Sequence, residues 1–175
     1  LTLGAQHGVS IDYSGPFTRI QPPQMIYVSD GNLHLQVVRS TDDRLETLVT
    51  QGGLLGERKG VNIPGAKLEF PVISQKDLED LQFAAHHQVD YVAQSFVRSA
   101  QDVLAVKHHL ADAHRRCKVI AKIESREGII RIGQILRSAD GLMVARGDLG
   151  ISVPIHELPI LQKWIIAACN HFQKP

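Results

Sequence analysis

Lys118-Val119-Ile120-Ala121-Lys122-Ile123-Glu124 is a run of strand length whose apolar body ends in two opposite charges. Lys122 and Glu124 stand two positions apart, so on a strand both side chains point to one face and Ile123 to the other. Charge therefore arrives where the core ends. The flanks of this run decide the fold. On the amino-terminal side, Ser99 with Asp102 marks a helix start, and Val103, Val106 and Leu110 recur at the spacing of one helical face. On the carboxyl-terminal side a helix is expected over about Glu127 to Ser138, with Ile132, Ile135 and Leu136 inward.

Farther out the alternation continues. Strands are expected at Asp90 to Phe96 and at Gly141 to Ala145. Ser74 with Asp77 three residues on is a capping-box pattern, opening a helix with Leu78, Leu81 and Ala85 on one face. A last helix is expected from about His156, with Leu158, Leu161 and Ile165 apolar, toward Phe172. Strands alternating with helices imply a parallel sheet joined by right-handed crossovers. The fold class is α/β, and either an open doubly wound sheet or a (β/α) barrel satisfies the pattern. In both, chemistry lies beyond the carboxyl ends of the strands.

Three strand ends then matter: Ser95-Phe96, Lys122-Ile123-Glu124 and Arg146-Gly147-Asp148. Lys122 and Glu124 alone could be a local ion pair of little energetic worth. Asp148 could be a helix-capping Asp. Together they point further, because two neighbouring carboxylates repel unless a cation lies between them. Two carboxylates with substrate oxygens and water are how Mg²⁺ is usually held. Gly147 and Gly150 let the backbone approach a ligand, and the free N–H groups of a following helix can receive an anion. A lysine beside such a metal offsets charge developing on oxygen. The residues therefore imply a Mg²⁺-assisted reaction on a small anionic substrate, with phosphoryl transfer and carbon–carbon cleavage both open.

Before Pro64-Gly65 the period is different. Met25-Ile26-Tyr27-Val28 runs into the turn Ser29-Asp30-Gly31, where Gly allows φ > 0. Leu33, Leu35 and Val37 alternate as in a half-buried strand, and Leu45 to Thr50 is a further strand before a turn expected at Gln51-Gly52-Gly53. This part reads as a small antiparallel β-domain.

The formal charge of +1 lacks the clustered Lys and Arg that phosphate backbones require, so no nucleic-acid partner is expected. The nine histidines carry no HExxH or Cys/His metal spacing. Two separated cysteines, Cys117 and Cys169, form no disulfide framework, which places the chain in a reducing cytoplasm. No apolar run approaches a membrane span, and the first residues resemble no signal peptide. The lack of an initiator Met reads as a chain that begins inside a longer protein.

Lys59-Gly60-Val61-Asn62-Ile63-Pro64-Gly65, Ala93-Gln94-Ser95-Phe96-Val97-Arg98, Ala121-Lys122-Ile123-Glu124 and Met143-Val144-Ala145-Arg146-Gly147-Asp148-Leu149-Gly150 occur in the order and at the spacings of the pyruvate kinases, which this chain resembles. The resemblance is strong from about Arg58 onward and looser before it. It implies a partial (β/α)₈ TIM barrel over residues 71–175, preceded by part of a small β-rich inserted lid domain over residues 1–70. It also implies transfer of the phosphoryl group of phosphoenolpyruvate to ADP, giving pyruvate and ATP in glycolysis. By the same resemblance Lys122 contacts the transferring phosphoryl group and stabilises the enolate. Glu124 and Asp148 hold Mg²⁺ (or Mn²⁺). Gly147 and the Asp148 amide bind the substrate carboxylate, and Lys59 lies near the nucleotide phosphates. A K⁺ ion is expected with its ligands outside this chain, as are a substrate arginine, a substrate threonine and a regulatory domain. The parent is expected to be a cytoplasmic homotetramer. Ser29 stands where the family often has a second Asp, which alters the expected lid contact to nucleotide. The alternatives are a Mg²⁺-dependent aldolase or lyase of a keto acid, and a fragment without activity of its own.

Overall fold

The computed structural model describes residues 2–4, 8–66, 68, 70–110 and 116–175. The chain divides into two compact units, Leu1–Phe70 and Pro71–Pro175.

In the first unit, β1 (Thr2–Gly4) and β2 (Gly8–Ser10) form an antiparallel pair. A 3₁₀ turn at Phe17–Arg19 leads to a second sheet. Its strands are β3 (Met25–Val28), β4 (Leu33–Ser40), β5 (Leu45–Gln51) and β6 (Val61–Asn62), in the order β5-β4-β3-β6 and antiparallel throughout. The alternation expected of Leu33, Leu35 and Val37 holds: Leu33 and Val37 are buried and Leu35 packs against them, with Ile20, Ile26, Val28 and Ile63 completing the core. The turn after β3 goes beyond the one glycine foreseen. Ser29, Asp30 and Gly31 all have positive φ, at 56°, 57° and 82°. The Ser29 N–H reaches the Gly60 carbonyl, and the Asn32 backbone and side-chain amides both donate to the Ser29 carbonyl, so local hydrogen bonds hold the left-handed run. The turn expected at Gln51-Gly52-Gly53 does not form there; it falls at Glu57-Arg58, where Arg58 has φ 54°. Gly53 serves close packing instead, since a Cβ on it would lie 3.1 Å from Leu33 Cδ2.

The second unit has a parallel sheet in the order β7-β8-β9, formed by β7 (Tyr91–Gln94), β8 (Lys118–Ile123) and β9 (Gly141–Val144). The described residues form an open sheet of three strands, as a partial barrel would. Helix α1 (Gln75–His86) opens with the expected capping box: the Ser74 hydroxyl accepts from the Asp77 N–H at 3.1 Å, and Asp77 accepts from the Ser74 N–H at 2.8 Å. Helix α2 (Ala100–Leu110) buries Val103, Val106 and Leu110 as its spacing requires. Val119, Ala121 and Ile123 of β8 join the same core, with Ile132, Ile135, Leu136 and Ile165.

The strands expected at Asp90 to Phe96 and Gly141 to Ala145 are one or two residues shorter at their ends, and three helical segments differ from expectation. The helix foreseen over Glu127 to Ser138 is two helices, α3 (Arg126–Ile130) and α4 (Ile132–Ser138), separated at Arg131 with φ −102° and ψ 16°. Helix α3 presses on the loop after β7: a Cβ on Gly128 would lie 2.8 Å from the Val97 carbonyl, and Arg131 donates to the Arg98 carbonyl at 3.3 Å. The break lets α4 turn its own apolar face into the core. Arg146-Gly147-Asp148, foreseen as a strand end and glycine turn, is the first turn of a helix, α5 (Arg146–Ser152). The last helix, α6, spans Leu158–His171 rather than starting near His156, with Pro159 in its first turn, where a missing N–H is harmless.

Candidate functional site at the strand ends

β8 delivers Lys122 and then Glu124 at its carboxyl end, and the structure brings the two into direct contact. Lys122 Nζ lies 2.7 Å from Glu124 Oε1. Their environments differ: the Glu124 side chain is 1 % exposed and that of Lys122 25 %. An uncompensated carboxylate at that depth would cost several kcal/mol, roughly, so its partners matter. Besides Lys122, the Phe96 N–H donates to Glu124 Oε2 at 2.6 Å, and the Ser152 hydroxyl donates to the Glu124 backbone carbonyl at 3.1 Å. Lys122 Nζ in turn donates to Ser95 Oγ at 2.9 Å. As an isolated feature this is the neutralised local pair that the sequence allowed for.

The neighbouring strand end supplies the rest. β7 pairs with β8 so that Gln94 lies beside Ala121, which carries Ser95-Phe96 next to the charged pair. Phe96 has φ 53°, a conformation that costs an aromatic residue about 1–3 kcal/mol. Behind this corner the buried Asp102 accepts from the Arg98 N–H at 2.7 Å, the Ser99 N–H at 3.0 Å and the Ser99 hydroxyl at 3.0 Å. The Gln94 side-chain amide donates to the Asp102 carbonyl at 3.0 Å. The whole turn from β7 into α2 is therefore braced.

On the other side, β9 pairs with β8 so that Val144 lies beside Ile123, and the Ala145 N–H donates to the Ile123 carbonyl at 3.3 Å. With the Ser152 contact, both ends of α5 are tied to the end of β8. Asp148 sits half-buried in the first turn of α5 and makes no side-chain hydrogen bond or ion pair among the described residues. No hydrogen bond or ion pair joins Asp148 to Glu124 or Lys122 among the described residues. Gly147 is exposed, and a Cβ added there would meet nothing within 4 Å, so packing does not require a glycine at that position. Lys59 is exposed and belongs to the first unit.

Among the described residues there is no group of three or more His, Cys, Asp or Glu side chains able to hold a metal by themselves. The donor set suits a hard cation held by one or two carboxylates together with substrate oxygens and water, as Mg²⁺ is, and not an all-protein cage. Each Glu124 oxygen already accepts one bond and retains acceptor capacity for another. Ser95, the Phe96 N–H and Ser152 received no role from the sequence. Ser95-Phe96 was at least visible as a strand end, whereas nothing in the sequence marks Ser152.

A family model described as "Pyruvate kinase, barrel domain" matches residues 2–175. The chain is 43% identical over 174 residues to Pyruvate kinase PKLR of Homo sapiens, an alignment covering 99% of this chain and 30% of that protein. It is 41% identical over 177 residues to Pyruvate kinase of Geobacillus stearothermophilus, covering 99% and 30%. To Pyruvate kinase of Thermotoga maritima it is 39% identical over 173 residues, covering 99% and 37%. The chain thus spans about a third of the length of the curated relatives it matches.

Proposed function

The chain belongs to the pyruvate kinase family, and on that premise we propose that it supplies one wall of a site that moves the phosphoryl group of phosphoenolpyruvate to ADP. In this reading the second unit is part of the catalytic barrel, and the first is part of the inserted lid domain. The transfer passes through a loose transition state, so the protein mainly positions and neutralises. The bond from phosphorus to the enol oxygen breaks as a terminal ADP oxygen takes the phosphoryl group, and the enolate is then protonated on carbon to give pyruvate.

Lys122 provides a fixed positive charge for the phosphoryl oxygens and then for the enolate oxygen. Glu124 and Asp148 would hold Mg²⁺ (or Mn²⁺), which as a Lewis acid offsets charge on the substrate oxygens. The open backbone at Gly147 and the Asp148 amide would receive the substrate carboxylate at the start of α5. Lys59 would meet the nucleotide phosphates. The ligands of a K⁺ ion lie outside this chain, and the complete protein acts as a cytoplasmic homotetramer. The observation that carries the proposal is the Lys122–Glu124 pair at the end of β8, held by the neighbouring strand end and adjoining α5. Replacing Lys122→Met in the full-length protein is expected to lower Mg²⁺-dependent pyruvate formation from phosphoenolpyruvate and ADP by about 10²-fold or more, the scale of a lost oxyanion donor. Mg²⁺ binding should be largely retained. Unchanged turnover in that variant would refute the role of Lys122.

A further inference from the structure

The Lys122 ammonium has three N–H donors and no acceptor. One is directed to Glu124 Oε1 and a second to Ser95 Oγ. The third has no partner among the described residues. Lys122 hangs on a flexible four-carbon stem, and a single ion pair leaves such a stem free to swing. The contact to Ser95 removes that freedom. It comes from the same dipeptide whose Phe96 N–H grips Glu124, so the two charged partners are anchored to one corner.

The corner is built for rigidity. Phe96 holds its left-handed backbone although the residue is 60 % exposed, so little packing repays that conformation. What the conformation achieves is an N–H directed at the Glu124 carboxylate. The next residues are tied down through Asp102, and Val97 is fully buried. Strain retained at a braced turn beside a charged pair points from geometry to function.

We propose that Ser95 is a positioning residue for Lys122, using its hydroxyl to hold the ammonium so that the one remaining N–H is presented to an anionic oxygen of the substrate. The proposal rests on the phosphoryl-transfer role given to Lys122 above. It assigns Ser95 no contact with the reacting atoms.

The test uses the full-length protein with Ser95→Ala and Ser95→Thr, beside Lys122→Met. For Ser95→Ala, kcat is expected to fall about 10- to 100-fold, the range for loss of a group that orients a site residue. KM for phosphoenolpyruvate and the thermal midpoint should change little. Ser95→Thr keeps the hydroxyl and should restore most of kcat. A crystal structure of Ser95→Ala should show Lys122 Nζ displaced or in several rotamers, a readout independent of turnover. The proposal is overturned if Ser95→Ala keeps wild-type kcat while Lys122→Met is inactive. It is also overturned if Ser95→Thr is as impaired as Ser95→Ala, or if the loss simply follows a lowered thermal midpoint. Should the wild-type protein form no pyruvate at all, the functional proposal fails, and the position of Lys122 Nζ in Ser95→Ala alone decides this one: an unmoved ammonium refutes it.

Discussion

Asp140 precedes β9, and its carboxylate accepts from the Val119 N–H at 2.9 Å and from the Lys107 ammonium at 2.9 Å. Burial by itself would raise its pKa, but the Val119 hydrogen bond and the Lys107 charge outweigh burial and hold the carboxyl below the ordinary carboxylate value. A carboxyl depressed in the folded state stabilises the fold above its unfolded value, and that contribution disappears as pH falls through the folded value. Asp140→Asn is therefore expected to cost about 1–2 kcal/mol near neutrality, the scale of a hydrogen bond to a charged group. The difference from wild type should begin to shrink near about pH 4 and vanish only below the depressed folded value. Urea unfolding at several pH values checks this, and a difference that persists at low pH would contradict it. At this scale, the common face of Lys122 and Glu124 was legible because a strand has period two. Ser95 and the Phe96 N–H were not, because which residue of a neighbouring strand lies opposite depends on pairing that a linear sequence does not display.

Elements read well where local chemistry settles them. The box at the start of α1 is self-contained within Ser74 to Asp77, so three residues suffice to recognise it. The Ser74 hydroxyl and N–H both donate to Asp77, which lowers the pKa of that carboxyl. Ser74→Ala should destabilise the second unit by about 1 kcal/mol. Because Asp77 is depressed in the fold, the benefit of the box should weaken as pH falls through its folded value. Thermal unfolding at neutral and acid pH measures both effects, and an unchanged midpoint at neutral pH would contradict the assignment. The break at Arg131 and the helix at Arg146–Ser152 escaped prediction for a shared reason. Both follow from tertiary ties, Gly128 against Val97 in one case and Ser152 to the Glu124 carbonyl in the other, which override local propensity.

At the scale of the molecule, strand–helix alternation identified a parallel sheet but not its closure, because each βα unit buries the same faces in an open sheet and in a barrel. Resemblance made that choice. In the described residues β7 and β9 are both outer strands, and β9 gains on its outer side the Leu142 N–H to Pro175 carbonyl bond at 2.9 Å. Unpaired strand edges template association. The 175-residue chain by itself is expected to self-associate with concentration in sedimentation velocity and to form no pyruvate from phosphoenolpyruvate and ADP. A stable monomer would contradict the association argument, and Mg²⁺-dependent turnover by that chain would show that one wall of the site suffices.

The Ser95-Phe96 corner has a consequence for how the sheet assembles. Its two contacts form only when Gln94 stands opposite Ala121. If β7 slid by one residue along β8, Glu124 would lose its N–H partner and Lys122 its hydroxyl, and an undersatisfied carboxylate would be carried into the interior at a cost of several kcal/mol, roughly. Apolar side chains of similar size discriminate weakly between such alignments. The charged pair therefore weights the native alignment of β7 on β8 more heavily than apolar packing alone would.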